Sequence, residues 1–297
     1  MPGAAPQTSQ AVAALLLNAF VWGVSWWPFK SLESSGLHPL WATAIVYGLS
    51  FAAIALWSKT QGIAAGAWRA HPGLWWLLIA SGMTNVGFNW AVTIGDVVRV
   101  VLLFYLMPAW SVLVAWWLLG ERPTTGALLR LVLALAGLMT VLHRPDSPWP
   151  LPESLADVLA LLGGLSFALT NALLLKLRDT PEASRMLAMF GGGTVMALLT
   201  AVVGSGISVV QQPALWNPAW VWPVLGLALA FLGGNMALQY GAARLPAHTT
   251  ALVMLSEVVF ASASSVILGA SSWDARTLLG GGLILLAALL STWKPAP

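Results

Sequence analysis

Glu257 is the residue most able to do chemistry in this sequence, because it stands about twelve residues into an apolar run spanning roughly 246–269. A carboxylate at bilayer depth is costly and normally faces the interior of a helix bundle. Such a group can bind a proton or a cation beside a solute path, or it can be a protonated or paired glutamate that fixes helix packing. A second set of polar side chains recurs at helical spacing. Asn18, Trp22, Ser25, Trp26 and Phe29 fall three to four residues apart, hence on one helix face. Ser81, Asn85, Phe88 and Asn89 repeat the device, Thr170 adds a hydroxyl, and Asn171, Asn235 and Gln239 add amides from further stretches. Amides both donate and accept, so they suit the ammonium and carboxylate of an amino acid; they also serve as interhelical glue. Pro108, in the middle of an apolar run, removes one backbone bond and frees a carbonyl for a hinge or a solute, or makes a static kink. Tyr105, one turn earlier, can reach the same space, and Tyr47, in the second predicted helix, has a weaker claim to the cavity. Asp96 and Arg99 lie three residues apart at a predicted helix end and are read as a local ion pair or gate.

Other chemistries find little support. His38, His71, His143 and His248 all lie near predicted loops without carboxylates at ligand spacing, so no metal set is expected. Cysteine is absent, which removes thiolate chemistry and disulfides. No clustered nucleophile and base is visible, so the chain is not expected to be an enzyme or to need a cofactor. Glycines 191–193 and 280–282 are expected to allow close helix approach rather than to cradle phosphate.

The elements that must position these residues follow from composition. Of 297 residues, 59% are hydrophobic and only 8% charged, and mean hydropathy is +0.82. A water-soluble fold of this size needs more charge on its surface, so lipid is the expected solvent. The formal charge of +3 is then a topology signal rather than a mark of nucleic-acid binding. Spanning the hydrocarbon takes about 20 apolar residues. Stretches of that kind lie at about 10–29, 38–57, 73–93, 97–119 and 126–142, then at about 155–177, 184–204, 218–240, 246–269 and 277–293. The first ten residues carry no basic side chain or cleavage pattern, so the first stretch is expected to remain in the membrane. Many of the 18 tryptophans, among them Trp57, Trp75, Trp76, Trp116, Trp117 and Trp222, cluster near predicted helix ends as aromatic belts.

Basic residues set the orientation. With the N-terminus cytoplasmic, the inner side carries Lys59, Arg69, Arg122, Arg130, Lys176, Arg178, Arg185, Arg244 and Lys294, and the outer side Lys30, Arg99, Arg144 and Arg276. Nine against four places both termini inside a cell (inner or plasma) membrane. At an offset of 149, residues 97–120 fall on residues 246–269, with Leu106 on Leu255 and Gly120 on Gly269. The expected architecture is therefore all-α, ten transmembrane helices in two five-helix repeats, 1–147 and 148–297. Five is odd, so the second repeat is inverted, as in secondary transporters with a midplane site.

The run LMPAWSVLVAWWLLGERPTTGALLRLVLALAGLMTVL resembles the signature of the drug/metabolite transporter superfamily, EamA branch: a proline, an apolar helix, Gly-Glu and a final helix. NAFVWGVSWWPFKSL is similar to the first helix of that branch, and within it most similar to the YddG-type amino-acid exporters. The resemblance implies ten helices, cytoplasmic termini and efflux of small metabolites. Two positions depart from the pattern: Ala270 stands where Gly-Glu would continue, and Glu257 stands opposite Pro108. The expected function is secondary export, by alternating access through a central cavity, of amino acids with aromatic or apolar side chains. Hydrophobic organic cations are the rival substrates, through Glu257 and cation–π attraction. A phosphorylated substrate would want basic residues within the helices, and Lys30 and Arg99 are too peripheral. The expected partners are the solute and the bilayer, with the chain a monomer or weak homodimer.

Overall fold

A computed structural model of the chain describes residues 4–60, 67–119, 124–143, 152–177, 179–213, 217–242, 244, 253, 254, 256–270 and 274–292. Every described element is helical. In chain order they are α1 (Ala4–Val24), α2 (Trp26–Ser34), α3 (Pro39–Thr60), the short α4 (Ala67–Ala70), α5 (Gly73–Ile94), α6 (Val97–Phe104), α7 (Met107–Leu119), α8 (Thr125–Leu142), α9 (Leu155–Lys176), α10 (Glu182–Gly206), α11 (Val221–Ala242) preceded by a 3-10 turn at Pro218–Trp220, α12 (Ser256–Ile267) and α13 (Ala275–Thr292). Among the described residues, seven helical stretches are long and apolar enough to cross a membrane: Ser9–Ser34, Pro39–Lys59, Gly73–Ile94, Val97–Leu118, Leu155–Lys176, Glu182–Gly206 and Pro218–Leu238. Three shorter apolar stretches, Leu131–Thr140, Ser256–Ile267 and Leu278–Ala287, fall within the other predicted segments.

Small residues decide which helices meet. Gly82 on α5 lies so close to α10 that a Cβ there would fall 2.4 Å from the Gly192 carbonyl oxygen. A Cβ on Gly87 would fall 2.7 Å from the Leu159 carbonyl oxygen of α9, and one on Gly193 would fall 2.2 Å from the Tyr47 ring of α3. Glycine lets these backbones touch where lipid offers no hydrophobic drive for helix pairing. Accordingly α5 packs on α9 and α10, α3 on α10, α8 on α13, α1 on α11 and α12, and α6 and α7 on α9. Gly137 holds the α8–α13 contact, where a Cβ would fall 2.6 Å from the Gly280 carbonyl oxygen.

Two predicted helices are broken. The first bends at Ser25, between α1 and α2, where the Ser25 hydroxyl donates to the Trp22 carbonyl at 2.8 Å. The fourth is not one helix with Pro108 at its centre: α6 ends at Phe104, α7 starts at Met107, and Pro108 falls in the first turn of α7. Proline has no N–H to give the Phe104 carbonyl four residues back, so the ladder stops there and resumes beyond it. The orphaned Phe104 carbonyl faces α9 rather than a solute path: a Cβ on Gly164 would fall 2.5 Å from it.

Candidate functional site

Around the break between α6 and α7, five of the expected residues converge. Tyr105 closes α6, and its buried hydroxyl donates to Glu257 Oε2 at 2.8 Å and lies 3.3 Å from the Met254 carbonyl oxygen. Glu257 sits in the first turn of α12 and is 7% exposed. Residues 245–252 and Leu255, through which its predicted helix was to run, lie outside the described residues. On α1, Asn18 is 1% exposed and directs its Nδ2 at Met254 Sδ, 3.4 Å away. One turn on, Trp22 stacks on Phe231 of α11, with centroids 4.7 Å apart, and meets the edge of Phe88 of α5 at 6.2 Å. Phe88 continues into Phe104 at 4.8 Å, and Phe104 into Phe167 of α9 at 5.5 Å. The result is a carboxylate, a phenol and an amide beside an aromatic wall, drawn from both halves of the sequence.

The electrostatic character of the cluster is one-sided. Among the described residues, Glu257 has no cationic partner, and the Arg99–Asp157 ion pair lies elsewhere. Asn18 Oδ1 is buried without a hydrogen-bond donor. It faces Gly234, where a Cβ would approach it to 3.3 Å. Buried polar atoms are normally satisfied, so this orphan acceptor, turned toward Gly234, marks one place prepared for a donor, and the carboxylate without a cationic partner marks another for a donor or a positive charge. The indole face of Trp22 adds a third feature attractive to cations.

Beside this cluster lies a second polar seam. Tyr47 on α3 donates to Asn85 Oδ1, and Asn85 Nδ2 donates to the Ser81 carbonyl at 2.8 Å. Tyr47 also rests against Phe231, with centroids 5.5 Å apart, which ties the seam to the aromatic wall. Asn89 Nδ2 donates to Thr43 Oγ1 at 3.2 Å, while Asn89 Oδ1 has no donor.

Several expected residues stand apart. Ser25 serves its own backbone, and the Trp26 indole N–H donates to Ser264 Oγ at 2.9 Å, fastening α2 to α12. Asn171 is exposed on α9 with Nδ2 3.5 Å from Met107 Sδ. Asn235 is half-buried on α11, and the Gln239 side chain lies outside the described residues, as do the Pro108 side chain and His248. His38, between α2 and α3, uses Nδ1 to accept the Leu40 N–H at 3.2 Å and is partly buried, which holds the imidazole below its ordinary value.

The predicted Asp96–Arg99 relation takes a different form. Asp96 Oδ1 accepts the Arg99 backbone N–H at 2.9 Å, capping α6. The Arg99 guanidinium reaches α9 instead: Nε donates to Asp157 Oδ1 at 2.8 Å and Nη2 to Oδ2 at 3.0 Å. Sequence reasoning missed Asp157 as a partner, along with Phe231, Phe104 and Met254. The sequence does carry a mark for Asp157, since Ser154 followed three residues later by Asp reads as a capping pair. Ser154 Oγ accepts the Asp157 N–H at 3.0 Å. The three apolar residues carry no comparable mark, being ordinary members of apolar helices.

The first eight helices have relatives that can be named. Residues 9–143 match the EamA-like transporter family. No curated protein matches the chain. A solved crystal structure shares the fold over 95% of this chain and 96% of its own, with a TM-score of 0.58 at 17% identity. The EamA-like region thus contributes Asn18, Trp22, Phe88 and Tyr105 to the cluster, and the part beyond it contributes Phe231, Met254 and Glu257.

Proposed function

We propose that this protein is a secondary transporter that moves a small solute carrying a positively charged amine and an apolar or aromatic body. The observation that carries this reading is the buried Glu257 carboxylate, hydrogen-bonded by Tyr105, without a cationic partner among the described residues, beside the orphan Asn18 Oδ1 and the Trp22 face. The amine would sit against Glu257 and Asn18 while the apolar body lies along Trp22, Phe88 and Phe231. When no solute is bound, a proton can satisfy the same carboxylate, which supports exchange of proton for amine.

Alternating access between two inverted repeats is the mechanism proposed. Its support is a pattern of exchanges. α1 packs on α11 and α12, and their counterparts pack in the same way, α9 on α5 and on α6 and α7. α3 with α10 and α8 with α13 pair equivalent helices directly. The family match ends at residue 143, ahead of α9, which agrees with a boundary near residue 147.

Export of aromatic or apolar amino acids from the cytoplasm across a cell membrane remains the reading that the resemblance to YddG-type exporters favours. Hydrophobic organic cations are favoured by a specific observation: among the described residues of the cluster no basic side chain is available for a substrate carboxylate. Counterflow in proteoliposomes separates the two, using aromatic amino acids, their decarboxylated amines and a quaternary amine. Saturable flux of the amines with none of the amino acids assigns the cation class; flux of amino acids alone assigns the other. If no member of the panel moves, the amine reading fails. Transport by wild type together with an unaltered pH dependence in Glu257→Gln would reject proton exchange at this carboxylate.

A further inference from the structure

We infer that a crevice beside the end of α10 binds an acyl chain of a phospholipid, with the Trp90 indole N–H donating to its ester carbonyl. The crevice holds about 330 Å³ and lies between Trp90 of α5, the last two turns of α10, and the turn that follows at Ile207 and Val209. That volume is at the low end of the roughly 300–1,000 Å³ typical of small-ligand sites. After α10 the chain reverses. Ser208 adopts a φ of 59°, and the Val209 and Val210 N–H groups both donate to the Gly204 carbonyl, at 2.9 and 3.1 Å. A serine in this left-handed region is held there at a cost. Val210 is buried against Gly204, where a Cβ would fall 2.4 Å from Val210 Cγ2. The reversal fixes Ile207 and Val209 as a lip beside Trp90. Trp90 in turn meets the His38 imidazole in a T-shaped contact, with centroids 5.3 Å apart.

What surrounds the mouth selects the occupant. Leu199, Val203, Ile207 and Val209 are all more than half exposed, so the crevice opens onto an apolar flank that meets hydrocarbon rather than water. The Thr200 hydroxyl is taken by the Met196 carbonyl at 2.8 Å. Trp90 is 8% exposed, and its indole N–H has no acceptor among the described residues. A water molecule needs about two to four polar partners, and the side chains here offer one donor. An apolar chain that carries one acceptor matches both the walls and the donor. Depth agrees. The 22 residues of α5 are about 33 Å long against a hydrocarbon thickness of about 30 Å, and Trp90 stands about 6 Å before the end of that helix. That level lies just inside the headgroup boundary, where phospholipid esters sit and tryptophan is enriched.

The test titrates the delipidated full chain, in detergent micelles, with phosphatidylcholine carrying a photoactivatable diazirine in one acyl chain. Cross-linked residues are mapped by mass spectrometry. Leu229 on α11, 70% exposed, serves as ordinary lipid-facing surface. Cross-linking within residues 199–209 should saturate, whereas at Leu229 it should rise in proportion to the probe. Thr200→Trp, which fills the crevice, should lower cross-linking there about tenfold and leave Leu229 unchanged. On the wild type, an ether-linked probe, which lacks the carbonyl, should need about fivefold more lipid for half-saturation. Trp90→Phe should cause a similar shift with the ester probe and none with the ether probe, since both changes remove the same bond. Proportional cross-linking at both places overturns the proposal, as does an ether probe that binds wild type as tightly as the ester probe. The readout needs no transported solute, so it fails or succeeds separately from the substrate assignment.

Discussion

The two charged centres of this protein differ in one respect that explains both: at Asp157 the carboxylate is fully engaged, and at Glu257 it is not. Asp157 accepts two guanidinium bonds and a backbone N–H. Glu257 accepts one phenol, and the Asn18 amide oxygen on α1 has no donor. A satisfied buried group holds elements together, whereas an unsatisfied one raises the energy of the empty state until a donor arrives. The difference separates residues that set conformation from residues that take the solute.

The largest expected effect tests the unsatisfied centre. Glu257→Gln should lower flux of a cationic amine about 100-fold, in line with losing one partner of a buried charge pair, measured as initial rates in proteoliposomes. Thermal unfolding in detergent should stay at or above that of the wild type, because the change removes an unpaired carboxylate. A clear loss of stability in Glu257→Gln would erase the contrast with Asp157.

Asp157→Asn should do the reverse. It takes from Arg99 the carboxylate that holds its guanidinium fork and should cost about 3 kcal/mol of stability, at the low end for a buried pair because Arg99 is 19% exposed. Denaturant titration followed by tryptophan fluorescence reads this directly. A smaller effect is expected from Tyr105→Phe, which removes one hydrogen bond to a charged group and should weaken apparent solute affinity roughly tenfold. Smallest is Thr43→Val in the polar seam, expected to cost about 0.6 kcal/mol with no change in flux. If Thr43→Val alters transport as much as Tyr105→Phe, the seam belongs to the site.

Much of this was legible in order along the chain. The helical stretches, the isolation of Glu257, the Asn18–Trp22 face and the pairing of Tyr105 with the helix break all follow from period, hydropathy and the position of proline. What misled was local: adjacency in sequence linked Asp96 to Arg99, although the arginine side chain is long enough to leave its own helix. Ser25 and Trp26 share the 3.6-residue period with Trp22, yet the Ser25 hydroxyl is taken up by its own backbone and the Trp26 N–H by Ser264.

The sequence by itself determined that the chain is helical and lipid-solvated, because those properties depend only on spacing and composition read along one strand of residues. Only the tertiary structure decided that Glu257 meets Tyr105, 152 residues away, and that Arg99 meets Asp157 across the halves. Contacts of that kind depend on how closely glycine faces let the helices approach and at what register, and hydropathy carries no record of either.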